Sequence, residues 1–497
     1  MSDLRLDRRE FVKGCCATAA LSAAGPAMLF SQEAQAAANA YDTVVVVFLR
    51  GGIDGLNLVP PIAGNDRGFY EEARPSLRIA TTGTYGALPL TLADNTATGF
   101  GLHPSATGLK AIWDAGRLAI VHDCGMPTVV TRSHFDAQLY LDLGTPGQQA
   151  TGTGWMTRAW ASQPGNAGNP TLPLLAVTAR QPANLLGATQ ALAMPSPGDF
   201  ALNAGAWQWQ QYRSGLPTGT RGVNETLASL WTGNTGLEIA GLRADNALRV
   251  IGGQGFTSTL PANWPTTTFA RQMWTVAQSI RFDLGLRFAT LDLGGWDTHD
   301  GQGTAGSGYH FFQNKIAELS DALAAFYNEL NATGEMSRVT VIVQSEFGRR
   351  VRQNGSGGTD HGYGNPLLVM GGAVNGRRFY GQWLGLDPQV LSPYFGDLPV
   401  TTDFRRVFSE MLIRRMGNNR LGSVFPGYSG YAPMGIFQGS DLAPQYVAGD
   451  LRPMANLPAN PQPAYGDSMR ESSRAVRAQA RDRESWFRRL LAALGLH

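Results

Sequence analysis
Residues 338–364, RVTVIVQSEFGRRVRQNGSGGTDHGYG, decide the fold. Val339, Thr340, Val341, Ile342 and Val343 form a β-branched run, which reads as a buried strand. The run gives way to Ser345, Glu346, Phe347, Gly348, Arg349 and Arg350, then to a glycine-rich loop that closes on Asp360-His361-Gly362. Carboxylates, guanidinia and an imidazole just past the carboxyl end of a buried strand stand where open α/β sheets bind ligands.

The same layout occurs twice more. TVVVVFL at 43–49 is a near-continuous β-branched run that stops at Arg50-Gly51-Gly52-Ile53-Asp54. Such a run suits a strand covered on both faces, the pattern of parallel sheets. The strand expected at 287–291 ends in Gly294-Gly295-Trp296-Asp297-Thr298-His299. Further strands are expected at 117–121 and 367–370, and helices at 105–116, 133–143, 269–282, 310–331 and 404–416. Asn375-Gly376 reads as a hairpin turn after the 367–370 strand. Alternating strands and helices argue an α/β/α sandwich with a mostly parallel sheet. From about 144 to 265 the alternation lapses, and that segment reads as an insertion or cap, with helices near 224–233 and 236–250. Its Trp207, Trp209 and Tyr212 either line a substrate entrance or pack among themselves.

Three sheet-end clusters follow: Asp54, the Asp297/His299 pair, and Glu346 with Asp360/His361. Mixed carboxylate and imidazole ligands suit a divalent metal, Zn²⁺ or Mn²⁺ first, with Fe, Mg²⁺ or Ca²⁺ as alternatives. Ser133 stands before His134 at a helix start, with Asp136 three residues on, which is a capping-box pattern. The same position favours an anion, so a cap and a nucleophile are both compatible with it. Arg349, Arg350 or Arg352 could pair with an oxyanion or simply face solvent.

Composition bounds the function. The chain has 497 residues, 43% hydrophobic and 16% charged, with a net charge of +2. That balance offers no electrostatic case for nucleic acid. Cys15 and Cys16 lie in the leader, so after its removal Cys124 is the last thiol and no internal disulfide can form. Cys124 is expected to be a buried small hydrophobe.

The leader reads DRREFVK at 7–13, then an alanine-rich stretch ending near Ala34-Gln35-Ala36. Arg8, Arg9, Phe11 and Lys13 resemble a twin-arginine export signal, an address read by the export machinery. Residues 1–36 are thus expected to be removed, and the mature protein to reach the periplasm or the outside. Residues 37–430 form the expected main domain. At 431–497 comes an extension whose basic amphipathic helix, 469–497, would dock on the body or touch a membrane surface or partner.

VVVVFLRGGIDGLN, RSHFDAQ, GGWDTH, SEFGRR, GTDHGYGN and VTTDFRRV together resemble an exported bacterial family, domain of unknown function 1501, over roughly residues 41–430. That family is distantly similar to the alkaline phosphatase, sulfatase and cofactor-independent phosphoglycerate mutase superfamily. The resemblance implies an alkaline-phosphatase-like fold and a metal-dependent hydrolase of small or polymeric phosphate or sulfate esters. It implies one metal on Asp297, His299 and His361, and another on Asp54, Glu346 and the hydroxyl of Ser133, the nucleophile. Ser133, His134 and Arg349 are then the expected catalytic set. Phe347 departs from the pattern, standing where a histidine ligand is expected. Either His134 or Asp360 substitutes, or the second site is empty. The alternative is a non-catalytic exported binding protein on the same scaffold.

Overall fold
A computed structural model describes residues 42–448, apart from residues 150, 165–169, 394 and most of 197–254. The expected leader, the basic helix expected at 469–497, Trp209 and Tyr212 fall outside the described residues, as do the side chain of Trp207 and most of the helices expected within 224–250.

The strands are β1 (Thr43–Arg50), β2 (Leu88–Thr91), β3 (Ala97–Leu102), β4 (Leu118–Gly125), β5 (Leu174–Ala176), β6 (Ala191–Ala193), β7 (Asn203–Ala204), β8 (Trp207–Gln208), β9 (Phe288–Gly294), β10 (Val339–Ser345), β11 (Asn365–Gly371), β12 (Arg378–Tyr380) and β13 (Thr402–Asp403). The helices are α1 (Gly55–Leu58), α2 (Gly64–Ala73), α3 (Thr107–Asp114), α4 (His134–Leu143), α5 (Trp155–Ser162), α6 (Thr268–Arg281), α7 (Phe311–Thr333), α8 (Phe404–Met416) and α9 (Leu421–Val424). The main sheet runs β12-β4-β11-β10-β1-β9-β5-β6, with β13 also paired to β4. Every pairing in it is parallel except those of β11, which is antiparallel to β10 and β4.

The valine run of β1 explains the layering. Val45, Val47 and Leu49 join one core with α3, α6 and α7, whereas Val44, Val46 and Phe48 join a second with α4, α5 and α8. Side chains alternate across a strand, so a strand covered by helices on both faces must be apolar at every position. Each such fully buried side chain contributes about 1.5–3 kcal/mol. The result is the α/β/α sandwich with a mostly parallel sheet expected from the sequence.

Two details differ from expectation. The Asn375-Gly376 turn does not make a hairpin, because β12 pairs in parallel with β4 on the side away from β11. The segment expected as an insertion supplies α5, β5 and β6, and these strands extend the main sheet beyond β9. They are too short, at three residues each, to show a period. Among residues expected in the C-terminal extension, Ile436 and Phe437 are buried in the second core. No helix among the described residues is long and apolar enough to cross a membrane.

Register places the site. Arg50 of β1 lies beside Gly294 of β9, and Leu49 beside Ser345 of β10. Three neighbouring parallel strands therefore end at one level, and the loops after them share one rim.

Candidate metal centre
The β1 and β9 loops meet through a glycine. Gly51 has φ +123°, and a Cβ there would lie 2.5 Å from the Asp297 amide nitrogen. Only glycine adopts this conformation at that distance without strain. Its own amide donates to Glu346 Oε1 at 2.8 Å, which ties the β10 loop to the other two.

Glu346 is buried and also receives His134 Nδ1 and Gln138 Nε2, each at 2.7 Å on Oε1. His134 and Gln138 stand one turn apart on α4, so both reach the same oxygen. Burial alone would raise the Glu346 carboxyl; the hydrogen bonds from His134 and Gln138 outweigh it and hold the group below its ordinary range. The carboxylate is thus ionised and accepts the His134 Nδ1 proton.

Asp297 Oδ1 is the meeting point of four side chains. Arg349 Nη2 donates to it at 2.7 Å, His299 Nδ1 lies at 2.7 Å, His134 Nε2 at 3.4 Å and His361 Nε2 at 3.6 Å. Burial would raise the Asp297 carboxyl, but the Arg349 hydrogen bond and charge, with the nearby imidazoles, pull it down to about 2. His361 Nδ1 sits 2.7 Å from the Arg132 carbonyl oxygen. A carbonyl only accepts, so Nδ1 carries the proton and Nε2 a lone pair. Burial holds His361 below its ordinary range, aided by the positive charge around it and opposed by that carbonyl.

Both Nε2 atoms are buried and have no hydrogen-bond partner. With both Nδ1 protons committed, two lone pairs point toward a carboxylate oxygen. That arrangement is repulsive unless a proton or a metal cation lies between them. Ligand atoms on a tetrahedral Zn²⁺, at about 2.0–2.1 Å from it, stand roughly 3.4 Å apart, close to the 3.4 and 3.6 Å found here. Among the described residues, His134, Asp297 and His361 can each offer a ligand atom within 4.8 Å of the others. The second nitrogens are anchored by a carboxylate and a backbone carbonyl, as metal-bound histidines usually are. The donor set fits a divalent metal.

The other expected residues lie as follows. His299 joins Asp297 through Nδ1, and its side chain is 44% exposed. Glu346, expected as a ligand, instead orients His134. Asp54 stands apart from the trio. Its carboxylate is fully buried against the Arg74 guanidinium and accepts from Gln302 Nε2 at 2.6 Å, so its charge is met by an ion pair. Asp360 also lies outside the trio, bound to Asn354 Nδ2 at 3.0 Å and facing Arg350 at 3.5 Å. Ser133 caps α4, its Oγ accepting the Asp136 amide at 3.3 Å.

Arg349, expected to grip an oxyanion, has no exposed side-chain surface. Its donors are spent on the carbonyls of Gly51, Gly52, Trp296 and Thr359 and on Asp297, so it clamps the three loops together. Phe347 packs on the rings of His134 and His361, with centroids 4.8 and 4.9 Å away. Sequence reading did not single out Gln138 or Arg132. Gln138 had a signal, four residues after His134 on a helix; Arg132 acts through its backbone carbonyl, which carries none.

The chain is thus an α/β sandwich that gathers a His/Asp cluster at the carboxyl rim of a mostly parallel sheet. Residues 258–394 match the family described as "Protein of unknown function (DUF1501)". That stretch holds Asp297, His299, Glu346, Arg349 and His361 but not His134. No curated protein matches the sequence. Among solved structures, the chain is similar to the PsFucS1 sulfatase from Pseudoalteromonas sp., at 11% identity over 77% of this chain and 71% of that one, TM-score 0.30. It is also similar to the lipoteichoic acid synthase LtaP from Listeria monocytogenes, at 7% identity over 87% and 80%, TM-score 0.27. A mutant of the alkaline phosphatase PafA matches at 13% identity over 62% and 64%, TM-score 0.22.

Proposed function
We propose that this protein is an exported hydrolase of phosphate or sulfate esters that depends on one divalent cation held by His134, Asp297 and His361. The observation that carries the reading is the pair of buried, unpartnered Nε2 atoms turned toward Asp297 Oδ1. When bound, Zn²⁺ or Mn²⁺ supplies Lewis-acid polarisation of an ester oxygen. The chain's own residues supply the rest. Glu346 and the Arg132 carbonyl fix which nitrogen of each ligand histidine is bare. Arg349 holds Asp297 in place and ionised. His299 uses Nδ1 on Asp297, and its partly exposed ring can pass a proton to a leaving oxygen.

The test is direct. Mature protein stripped with chelator and dialysed against Zn²⁺ or Mn²⁺ should retain one ion per chain by elemental analysis, and His361→Ala should retain none. The loaded protein should then turn over members of a panel of phosphate and sulfate mono- and diesters. Metal uptake without turnover of any of them would count against the hydrolase. Export is tested by Arg8→Lys together with Arg9→Lys, which should leave the protein in the cytoplasm with its leader attached.

A second reading is favoured by one contact. Arg349 already brings a fixed positive charge to Asp297 Oδ1, which opposes a cation there. On that reading the chain is a non-catalytic exported binding protein, and dialysis should recover no metal at micromolar Zn²⁺.

A further inference from the structure
The opposite rim of the sheet carries a second constellation of charge. A cleft of about 600 Å³ opens where β4 and β12 begin, lined by Asp114, Arg117, Asn375, Arg377, Arg378 and Gln438 among others. These strands run parallel to β1 through β11 and β10. Their starts therefore lie at the end of the sheet away from His134, Asp297 and His361. We propose that this cleft binds a polyanionic ligand bearing at least two phosphate or sulfate groups.

The guanidinia are set in place without being neutralised. Arg117 donates to the Gly372 carbonyl. Arg377 donates to the Thr91 carbonyl at 3.1 Å, to Thr91 Oγ1 at 2.8 Å and to Asn95 Oδ1 at 2.9 Å. All these acceptors are uncharged, so each arginine keeps its full charge while its side chain is held. Arg378 is exposed at the edge. The charged residues lining the cleft are three cations, Arg117, Arg377 and Arg378, and one carboxylate, Asp114. Asp114 is already paired with Lys110 at 2.5 Å, and Asp94 is fully exposed and feels Arg377. The balance is +2 around an open cleft.

The backbone supports a built feature. Arg377 and Asn95 both adopt left-handed conformations, at φ +55° and +67°. Non-glycine residues hold such angles only where the surroundings enforce them, and such sites cluster at ligand-binding features. Gly376 lets this turn press against β4, since a Cβ there would lie 2.6 Å from the Leu118 nitrogen.

Size and chemistry then select the ligand. The volume falls in the range of small-molecule sites, roughly 300–1,000 Å³, which exceeds one oxyanion. Planar guanidinia pair best with phosphate or sulfate oxygens. Asn375 Nδ2 is used on the Gly435 carbonyl at 2.8 Å, which leaves its side-chain oxygen as an acceptor for a ligand hydroxyl.

Calorimetric titration tests this on the mature full chain in EDTA, with inorganic pyrophosphate and a disulfated disaccharide as separate probes. At least one should bind saturably, one per chain, with Kd below about 1 mM at low salt. R378Q, at an exposed site, and R117Q should each weaken it at least about tenfold, the value of one charge-assisted pair. Asp297→Asn should leave it unchanged. The probe that binds tells phosphate from sulfate. Absence of binding by both probes would overturn the proposal. So would a Kd unmoved in R378Q, or binding lost in Asp297→Asn, which would assign the anion to the metal centre.

Discussion
Glu346 gives the candidate metal centre its polarity. It holds His134 through Nδ1, which leaves Nε2 to face Asp297. Glu346→Gln keeps the volume but can present an amide N–H to Nδ1, which releases the tautomer. Apparent Zn²⁺ affinity, measured by competition with a chelating dye, should fall roughly 10–100-fold, as for other residues that orient metal ligands. An unchanged affinity would mean that His134 does not ligate. Asp54 makes the opposite prediction. Asp54 and Arg74 have no exposed side-chain surface, so Asp54→Ala strands a buried guanidinium. Breaking such a pair costs about 3–5 kcal/mol, to be read from urea unfolding, while metal stoichiometry stays as in the parent. Loss of metal in a folded Asp54→Ala protein would return Asp54 to the site.

Elements explain what could be read in advance. The β1 and β10 runs are legible because a strand buried on both faces cannot hide its composition, and their register follows from parallel pairing. The glycines after β1 are legible as a turn; that Gly51 exists to let Asp297 approach is not, because 246 positions separate them. Asp54 looked like a ligand for the same reason: its partner Arg74 stands just past the end of α2, and nothing local announces the pair. Ser133 was legible in both its senses, and the structure shows the cap. Ser133→Ala should cost about 1 kcal/mol in unfolding free energy, the usual value of a helix cap, without loss of bound metal. Loss of all ester turnover at full metal occupancy would restore the nucleophile. Gly51→Ala should be harsher, about 1–3 kcal/mol from backbone strain alone, with metal binding impaired because Asp297 must move.

At the scale of the whole molecule, buried titratable groups, most of them outside the candidate metal centre, should shape the pH–stability curve. Burial pushes Asp123 up from 3.8 to about 8, and pushes His103 and His122 down from 6.5 to about 4. Above pH 6.5 the folded chain holds a proton on Asp123 that the unfolded chain has lost, so stability falls as pH rises toward 8. Below pH 6.5 the unfolded chain protonates both histidines and the folded chain does not, so stability falls as pH drops toward 4. His361, also lowered, adds to the acid limb, whereas burial raises Asp42, Asp321 and Asp397 and blunts it. Each unmatched proton is worth about 1.4 kcal/mol per pH unit. Chelator-treated protein should therefore be most stable near pH 6.5 in urea titrations, with the alkaline limb owed to Asp123. Asp123→Asn should flatten that limb between pH 6.5 and 8 and steepen the acid limb, which Asp123 otherwise opposes down to about pH 4. A parent curve already flat over that range would show that Asp123, at the carboxyl end of β4, is ionised in the folded protein and has found a partner for its buried oxygen.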